Sequence, residues 1–161
     1  MQPIACFRHI SEARYAKDFS GFDTALPLAE IPMPRRATEG SAGYDFVCPA
    51  AVTLAPGETR VIPTGIRALI EPGWVLVICP RSSLGRKYGM RLANTVGVID
   101  SDYSQAENEG HILCAVTNGG DSPLTLNPGD RFCQGIFLPF GLAEEEAVTE
   151  KRVGGYGSTG H

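Results

Sequence analysis

Short apolar stretches recur along the chain, and most carry the signature of strands rather than helices. Ile66, Ala68 and Ile70 alternate with Arg67 and Leu69, which predicts a strand with one buried face. Trp74-Val75-Leu76-Val77-Ile78-Cys79 is continuously apolar and predicts a strand covered on both faces. Residues 111–116 and 131–138 are two further strand candidates. Pro56-Gly57, Pro72-Gly73 and Pro128-Gly129 each fit a type II turn, with proline fixing φ and glycine accepting a positive φ. Asn118-Gly119-Gly120-Asp121 reads as a hairpin turn. Helix signals are few. Ser11 is placed to cap a short helix running to Phe19, and Ser82 to cap one or two turns through Tyr88. Residues 18–36 bear prolines and no periodicity, and are expected to form a surface loop. Many short strands joined by frequent turns predict an all-β sandwich or barrel-like fold.

Composition narrows this picture. A chain of 161 residues, with no repeat and no linker, is expected to be a single domain. Its 43% apolar and 20% charged residues are ordinary for a soluble globular protein. The longest apolar run, residues 74–79, is far too short to span a bilayer. The N-terminal residues hold no long apolar stretch, so neither a signal peptide nor a membrane partner is expected. The net charge is −4, a poor balance for gripping polymeric nucleic acid. A small anionic ligand held by a few local cations stays open. Cys6, Cys48, Cys79, Cys114 and Cys133 are odd in number and well separated, with no CxxC pair. They read as free thiols in a reducing, cytoplasmic compartment, with neither a disulfide framework nor a zinc site.

Five segments carry polar chemistry. Pro80-Arg81-Ser82-Ser83-Leu84-Gly85-Arg86-Lys87, with Arg91 nearby, is the one basic cluster. It is either a capped helix with a solvated basic face or an anion site built from a guanidinium fork and helix N–H groups. Val96-Gly97-Val98-Ile99-Asp100-Ser101-Asp102-Tyr103 places two carboxylates two residues apart after an apolar run. An extended backbone puts both on one face and a turn separates them. Either they form a turn, or one is a general base for water. Asp45, within Ser41-Ala42-Gly43-Tyr44-Asp45-Phe46, is a turn residue or a ligand-shell carboxylate. Gln134 ends Gly129-Asp130-Arg131-Phe132-Cys133-Gln134 as a lone amide. The tail V-G-G-Y-G-S-T-G-H over residues 153–161 contains Gly155-x-Gly157-x-x-Gly160. It matches the dinucleotide fingerprint formally, but not in a strand–helix context. It is a frayed terminus or a segment whose glycine N–H groups approach phosphate oxygens.

Taken in order, the segments S-A-G-Y-D-F, P-R-S-S-L-G, G-V-I-D-S-D-Y, G-D-R-x-x-Q and G-G-Y-G-S-T-G resemble the five motifs of the trimeric dUTPase family. The resemblance implies a jelly-roll-like (β-clip) subunit of a homotrimer, with one or two short helices. Residues 1–40 form a lead-in, and residues 153–161 a flexible glycine-rich tail. Each of three shared sites would take the first, second and fourth motifs from one subunit, the third from another and the tail from the last. The implied reaction is dUTP plus water to dUMP and pyrophosphate, with Mg²⁺ on the triphosphate. It would limit uracil in DNA and supply dUMP for thymidylate synthesis. By position, Asp100 would activate water for attack on the α-phosphorus. Tyr103 would pack on the deoxyribose and exclude a 2′-hydroxyl. Asp45 would hold the metal through water. Arg81, Ser82 and Gln134 would contact phosphates, and Ser83, where the family often has glycine, would add a hydroxyl. Asn94, Gly97 and Ile99 would lie on a hairpin that receives uracil. In the tail, Arg152, Ser158 and Thr159 would meet the γ-phosphate beside Gly157, and Tyr156, in place of the usual Phe, would stack on the base.

General chemistry agrees with these parts. Phosphoryl transfer asks a protein mainly for positioning and charge stabilisation. Uracil offers an N3–H donor between two carbonyl acceptors, and a rigid backbone edge rejects cytosine by leaving polar groups unpaired. One departure is clear: Ser104-Gln105-Ala106-Glu107-Asn108-Glu109 inserts about five residues after Tyr103, beside the implied sugar pocket. Two other readings share the scaffold. A dCTP deaminase needs a carboxylate on the strand after the third motif, where this chain has Ala115, and lacks such a tail. A non-catalytic nucleotide sensor would use the insertion and the lead-in for partners.

Overall fold

Each Pro-Gly pair closes a four-residue turn in the computed structural model, which describes residues 2–144, 150, 152, 154 and 155. Glu58 N donates to Ala55 O at 3.0 Å, Trp74 N to Glu71 O at 3.3 Å, and Asp130 N to Asn127 O at 3.0 Å. Gly57, Gly73 and Gly129 have φ of 78°, 84° and 92°, the positive values a type II turn needs at its third position.

Among the described residues the strands are β1 (Ala5–His9), β2 (Arg35–Arg36), β3 (Tyr44–Val47), β4 (Val52–Leu54), β5 (Thr59–Ile70), β6 (Trp74–Pro80), β7 (Met90–Leu92), β8 (Gly97–Ile99), β9 (His111–Asn118), β10 (Leu124–Leu126) and β11 (Arg131–Pro139). Two helices, α1 (Glu12–Asp18) and α2 (Ser82–Tyr88), and 3-10 turns at Leu28–Glu30 and Ser101–Gln105 complete the chain. The strands form a four-stranded sheet in the order β1-β5-β9-β7, a five-stranded sheet β2-β3-β11-β6-β8 and a ribbon β10-β4. Every pairing is antiparallel. This is the all-β, jelly-roll-like architecture expected from the sequence.

Phe46, Phe132, Leu76 and Ile78 of the five-stranded sheet, Ile62, Ile66, Ile112 and Val116 of the four-stranded sheet, and Leu54, Leu124 and Leu126 of the ribbon share one buried core. Burying each of these side chains contributes about 1.5–3 kcal/mol before entropy is counted. Packing is tight at Gly135 on β11. A Cβ there would sit 2.8 Å from Leu76 Cδ1 and 3.0 Å from Phe46 Cε2. The register between β5 and β9 shifts between Pro63 and Arg67, a bulge that accommodates a proline within a long strand. Thr64 Oγ1 fills the gap, donating to Ile112 O at 2.8 Å and accepting from Ile66 N at 3.1 Å.

Several expectations change. In β6 only Leu76 and Ile78 are fully buried, so the apolar run is covered on one face of the chain rather than both. Its other face is half-buried, and its neighbour Val98 is 58% exposed. The segment Asn118-Gly119-Gly120-Asp121 is not a hairpin turn, because β10 pairs with β4 while β9 pairs with β5 and β7. Buried Asn118 staples this crossover: Nδ2 donates to Leu54 O and Ser122 O, each at 2.9 Å, and Oδ1 accepts from Gly120 N at 3.0 Å. Residues 18–36 are more than a surface loop. The 3-10 spacing aligns Leu28 with Ile31, both are buried, and Ile31 Cδ1 lies over Gly65. Ser11 does cap α1, accepting from Arg14 N at 3.1 Å. Arg81, not Ser82, takes the cap position of α2, and no side chain caps that helix.

All five cysteines are free. Cys48, Cys114 and Cys133 are buried, while Cys6 and Cys79 are half-exposed. Burial pushes the Cys48 thiol up to about 12, the environment of an inert thiol. No helix among the described residues is long and apolar enough to cross a membrane.

Candidate active site

Three strands of the five-stranded sheet bring the first, second and fourth motifs together. Gln134 of β11 is directly opposite Asp45 of β3 and Cys79 of β6, and Arg81 follows where β6 ends. Asp45 Oδ1 lies 3.3 Å from Arg81 Nε, and Oδ2 lies 3.0 Å from Arg131 Nη1. Gln134 folds over Gly43, where an added Cβ would meet Oε1 at 2.5 Å. The glycine of the first motif therefore makes room for the amide of the fourth. Arg81, Ser83, Lys87 and Arg131 line one hollow, and Asp45, Arg35, Arg36 and Arg131 line its neighbour. Ser82 is the exposed first residue of α2. In an acidic chain this is a local surplus of guanidinium and ammonium groups, suited to a polyanion of phosphate type. Arg131 has no assigned role in the sequence reading. Its signal is its place just after the Pro128-Gly129 turn, which starts β11 opposite the first motif.

The third motif lines a separate cavity of about 420 Å³ with Asn94, Gly97, Ile99, Asp100, Tyr103 and Leu113 among its walls. None of its lining residues lines the cationic hollows. The expected hairpin is a crossover between sheets instead: β7 pairs with β9, and β8 pairs with β6. Thr95, with φ of 67°, makes the turn, and Asn94 is exposed on it. β8 is the edge of its sheet, so among the described residues the backbone of Gly97–Ile99 has a strand partner on one side.

Asp100 stands where β8 runs into the 3-10 turn Ser101–Gln105. The turn does not separate the two carboxylates. Both converge on Arg152, whose Nη2 pairs with Asp100 and whose Nε donates to Asp102 at 2.9 Å. The guanidinium carbon is 5.5 Å from the centroid of the Tyr103 ring, within cation–π range. Arg152 is the member of the tail's site residues that the described residues include, and here it lies on its own chain's third motif. Tyr156, Gly157, Ser158 and Thr159 lie outside the described residues.

The insertion packs behind this wall, with Asn108 bonded to the Tyr103 hydroxyl. Glu109 and Gly110, with φ of 62° and 72°, turn the chain back under Tyr103 into β9. The Glu109 carboxylate accepts from Ser11 N at 2.9 Å and from Ser11 Oγ at 2.6 Å, and that hydroxyl holds its pKa below the ordinary value. One residue past the insertion's glycine, the His111 ring is buried. Gly65 N donates to Nε2 at 2.8 Å, so Nδ1 carries the hydrogen and donates to Asp18 Oδ2 at 2.5 Å. Burial lowers the His111 pKa below its ordinary value, against the pull of Asp18. Burial alone would raise Asp18, but hydrogen bonds from Arg14 and His111 outweigh it and hold that carboxyl low. The insertion and the N-terminal lead-in thus lock each other in place, a link invisible from their positions in sequence.

No group of three or more His, Cys, Asp or Glu among the described residues is placed to hold a metal ion. A single carboxylate beside a cationic hollow does not make a resident metal cage. It does suit a Mg²⁺ ion that keeps its waters and arrives on substrate phosphates, since such ions use only one or two protein carboxylates.

The chain is an antiparallel, jelly-roll-like β protein with a hollow lined by cationic side chains and a separate carboxylate-edged cavity. The model of the dUTPase family matches residues 29–160, and the chain belongs to that family. It is 46% identical over 145 residues to the deoxyuridine 5′-triphosphate nucleotidohydrolase of Lactococcus lactis, covering 87% of this chain and 97% of that one. It is 45% identical over 139 residues to the enzyme of the same name from Tolumonas auensis, covering 81% and 89%. Among solved structures, the dUTPase of Streptococcus mutans superposes with a TM-score of 0.69 at 35% identity, over 86% of this chain and 98% of that one. A mutant dUTPase from phage phi11 of S. aureus, described with a structural Mg(II) ion, superposes with a TM-score of 0.67 over 92% and 98%. At 21% identity it shares the fold.

Proposed function

We propose that this dUTPase hydrolyses dUTP to dUMP and pyrophosphate, with Asp100 taking the proton of the water that attacks the α-phosphorus. The observation that carries the reading is the convergence of Asp100, Tyr103 and Arg152 on one nucleoside-sized cavity. Asn94 and the edge of β8 at Gly97 and Ile99 read uracil, whose N3–H lies between two carbonyls. Tyr103 packs on the deoxyribose. Arg81, Ser82, Ser83 and Gln134 hold phosphate oxygens, and Arg152, Ser158 and Thr159 hold the γ-phosphate while Tyr156 stacks on the base beside Gly157.

Arg152 links binding to chemistry. In the free chain it neutralises Asp100 and Asp102. A triphosphate offers the guanidinium a stronger, bidentate partner. Once Arg152 turns to it, the Asp100 carboxylate is released to orient water and accept its proton. Asp45 would hold, through water, a Mg²⁺ ion arriving with the triphosphate, which would help neutralise the phosphate oxygens. Transfer then rests on positioning and fixed charge.

The site is shared between copies of the chain in a homotrimer. Two observations support this: the phosphate-binding motifs and the third motif line separate hollows of one chain, and the outer face of β6, β8 and β11 leaves Val98 and Leu138 exposed. Such an apolar face suits a subunit interface. The setting is the cytoplasm, where the reaction keeps uracil out of DNA and yields dUMP.

The test is product analysis with dUTP and, separately, dCTP. Expected from dUTP are pyrophosphate and dUMP without ammonia, with oxygen from labelled water appearing in dUMP. Ammonia from dCTP would install the deaminase reading, which the absence of a carboxylate at Ala115 on β9 disfavours. Tight dUTP binding with no turnover would install the sensor reading.

A further inference from the structure

We infer that Asn108, the buried amide of the insertion, is a positioning residue that holds the Tyr103 ring in the pose that excludes a 2′-hydroxyl and forms the seat for the tail at Gly155. The inference deepens the proposed function and rests on the reading that Tyr103 packs on the deoxyribose.

The hydrogen bonds leave Asn108 one orientation. Gly110 N can only donate, and it lies 3.2 Å from Asn108 Oδ1. The amide nitrogen therefore faces Tyr103 Oη, to which it donates at 2.7 Å. That hydroxyl then spends its own hydrogen on His111 O at 3.2 Å. Asn108 Nδ2 also lies 3.4 Å from the same carbonyl. Both Asn108 and Tyr103 are buried, so the phenol cannot exchange these partners for bulk water. A tyrosine fixed at its Cβ and again at its Oη has little freedom to swing. A ring that cannot swing cannot yield to an added 2′-hydroxyl.

The opposite side of the amide faces the tail. A Cβ placed on Gly155 would meet Asn108 Cγ at 2.9 Å, Oδ1 at 3.1 Å and Nδ2 at 3.3 Å. The glycine therefore lies flat on the amide plane, three residues after Arg152, whose guanidinium lies over the Tyr103 ring. One side chain from the insertion thus touches both the sugar-facing ring and the backbone at Gly155. The Glu109–Ser11 bonds hold the insertion to α1 and keep Asn108 in place.

The experiment measures kcat/KM for dUTP and for UTP in the full-length wild type and in Asn108→Ala, Tyr103→Phe, Tyr103→Ala and the Asn108→Ala/Tyr103→Phe double variant. Asn108→Ala is expected to lower the dUTP/UTP ratio roughly tenfold, the effect of removing one buried hydrogen-bond partner. A residue needed only for folding would lower both substrates alike and leave the ratio unmoved. Tyr103→Phe removes the same bond from the other end and lowers the ratio similarly. It decides the matter if Asn108→Ala does not fold. In the double variant the second change adds less than about twofold. An unchanged ratio in Asn108→Ala or, failing that, in Tyr103→Phe overturns the inference while a collapsed ratio in Tyr103→Ala leaves the reading of Tyr103 standing. An unchanged ratio in Tyr103→Ala overturns both. For the tail, Gly155→Ala is expected to raise KM for dUTP, and adding Asn108→Ala to relieve part of that rise. A rise unaffected by Asn108→Ala would remove Asn108 from the tail's seat.

Discussion

His111 donates from Nδ1 to the Asp18 carboxylate at 2.5 Å, joining the strand behind the third motif to the end of α1. Both ring nitrogens are committed, because Nε2 accepts from Gly65 N. A second proton would set an N–H against that donor. Burial holds the His111 pKa below the ordinary 6.5, so an unfolded chain binds a proton there more readily than the folded one. The stability this group contributes is full above the ordinary value and is lost as pH falls below it. Asp18 and Glu109, both held low, add losses of the same sign in a more acidic window. Thermal melting from pH 7 to pH 5 should show a falling midpoint in the wild type. His111→Gln, which keeps an acceptor for Gly65, should show a flatter profile over that range.

Ser11 caps α1 and holds Glu109 of the insertion. Ser11→Ala removes the cap and the hydroxyl bond to Glu109, leaves the backbone bond from Ser11 N, and should cost about 1 kcal/mol, the usual cost of a lost cap. The melting midpoint should fall by roughly 2–4 °C for a chain of this size, with dUTP turnover reduced only slightly.

Gly135 has no room for a side chain between Leu76 and Phe46. Gly135→Ala should destabilise by about 1–3 kcal/mol through overpacking. Denaturant unfolding would read this as a lower midpoint with an unchanged slope.

The separate hollows of one chain give a test by subunit mixing. Arg81→Ala disables the phosphate half and Asp100→Asn the third-motif half, so each variant alone should be nearly inactive. In a cyclic trimer every mixed ring joins one intact phosphate half to one intact third motif across a subunit boundary. After random equal exchange about three-quarters of rings are mixed, so about a quarter of all sites should recover. A mixture that stays inactive after verified exchange would show that both halves come from one chain.

Local chemistry made part of this molecule legible. The three Pro-Gly turns, the Ser11 cap and the strand cores at Ile66–Ile70 and His111–Val116 are each decided within a few residues. The five motifs were readable because phosphate and base recognition demand fixed residue types. What was not readable depends on pairing at a distance. Asn118-Gly119 resembles a hairpin turn, and only the partnering of β10 with β4 makes it a crossover. Leu28 and Ile31 look like loop residues until Gly65 leaves space for Ile31. In sequence the insertion is only a departure from the family pattern after Tyr103. The Glu109–Ser11 and Asn108–Tyr103 bonds make it the backing of Tyr103.

The role of Asp100 is the claim on which the mechanism stands, and Asp100→Asn tests it with almost no change of shape. The measurement is steady-state pyrophosphate release from dUTP with Mg²⁺ present, beside the dUTP dissociation constant of the same protein. The account predicts turnover lowered by roughly 10²–10⁴-fold, the usual contribution of a general base, with dUTP still bound. Turnover close to that of the wild type would contradict it.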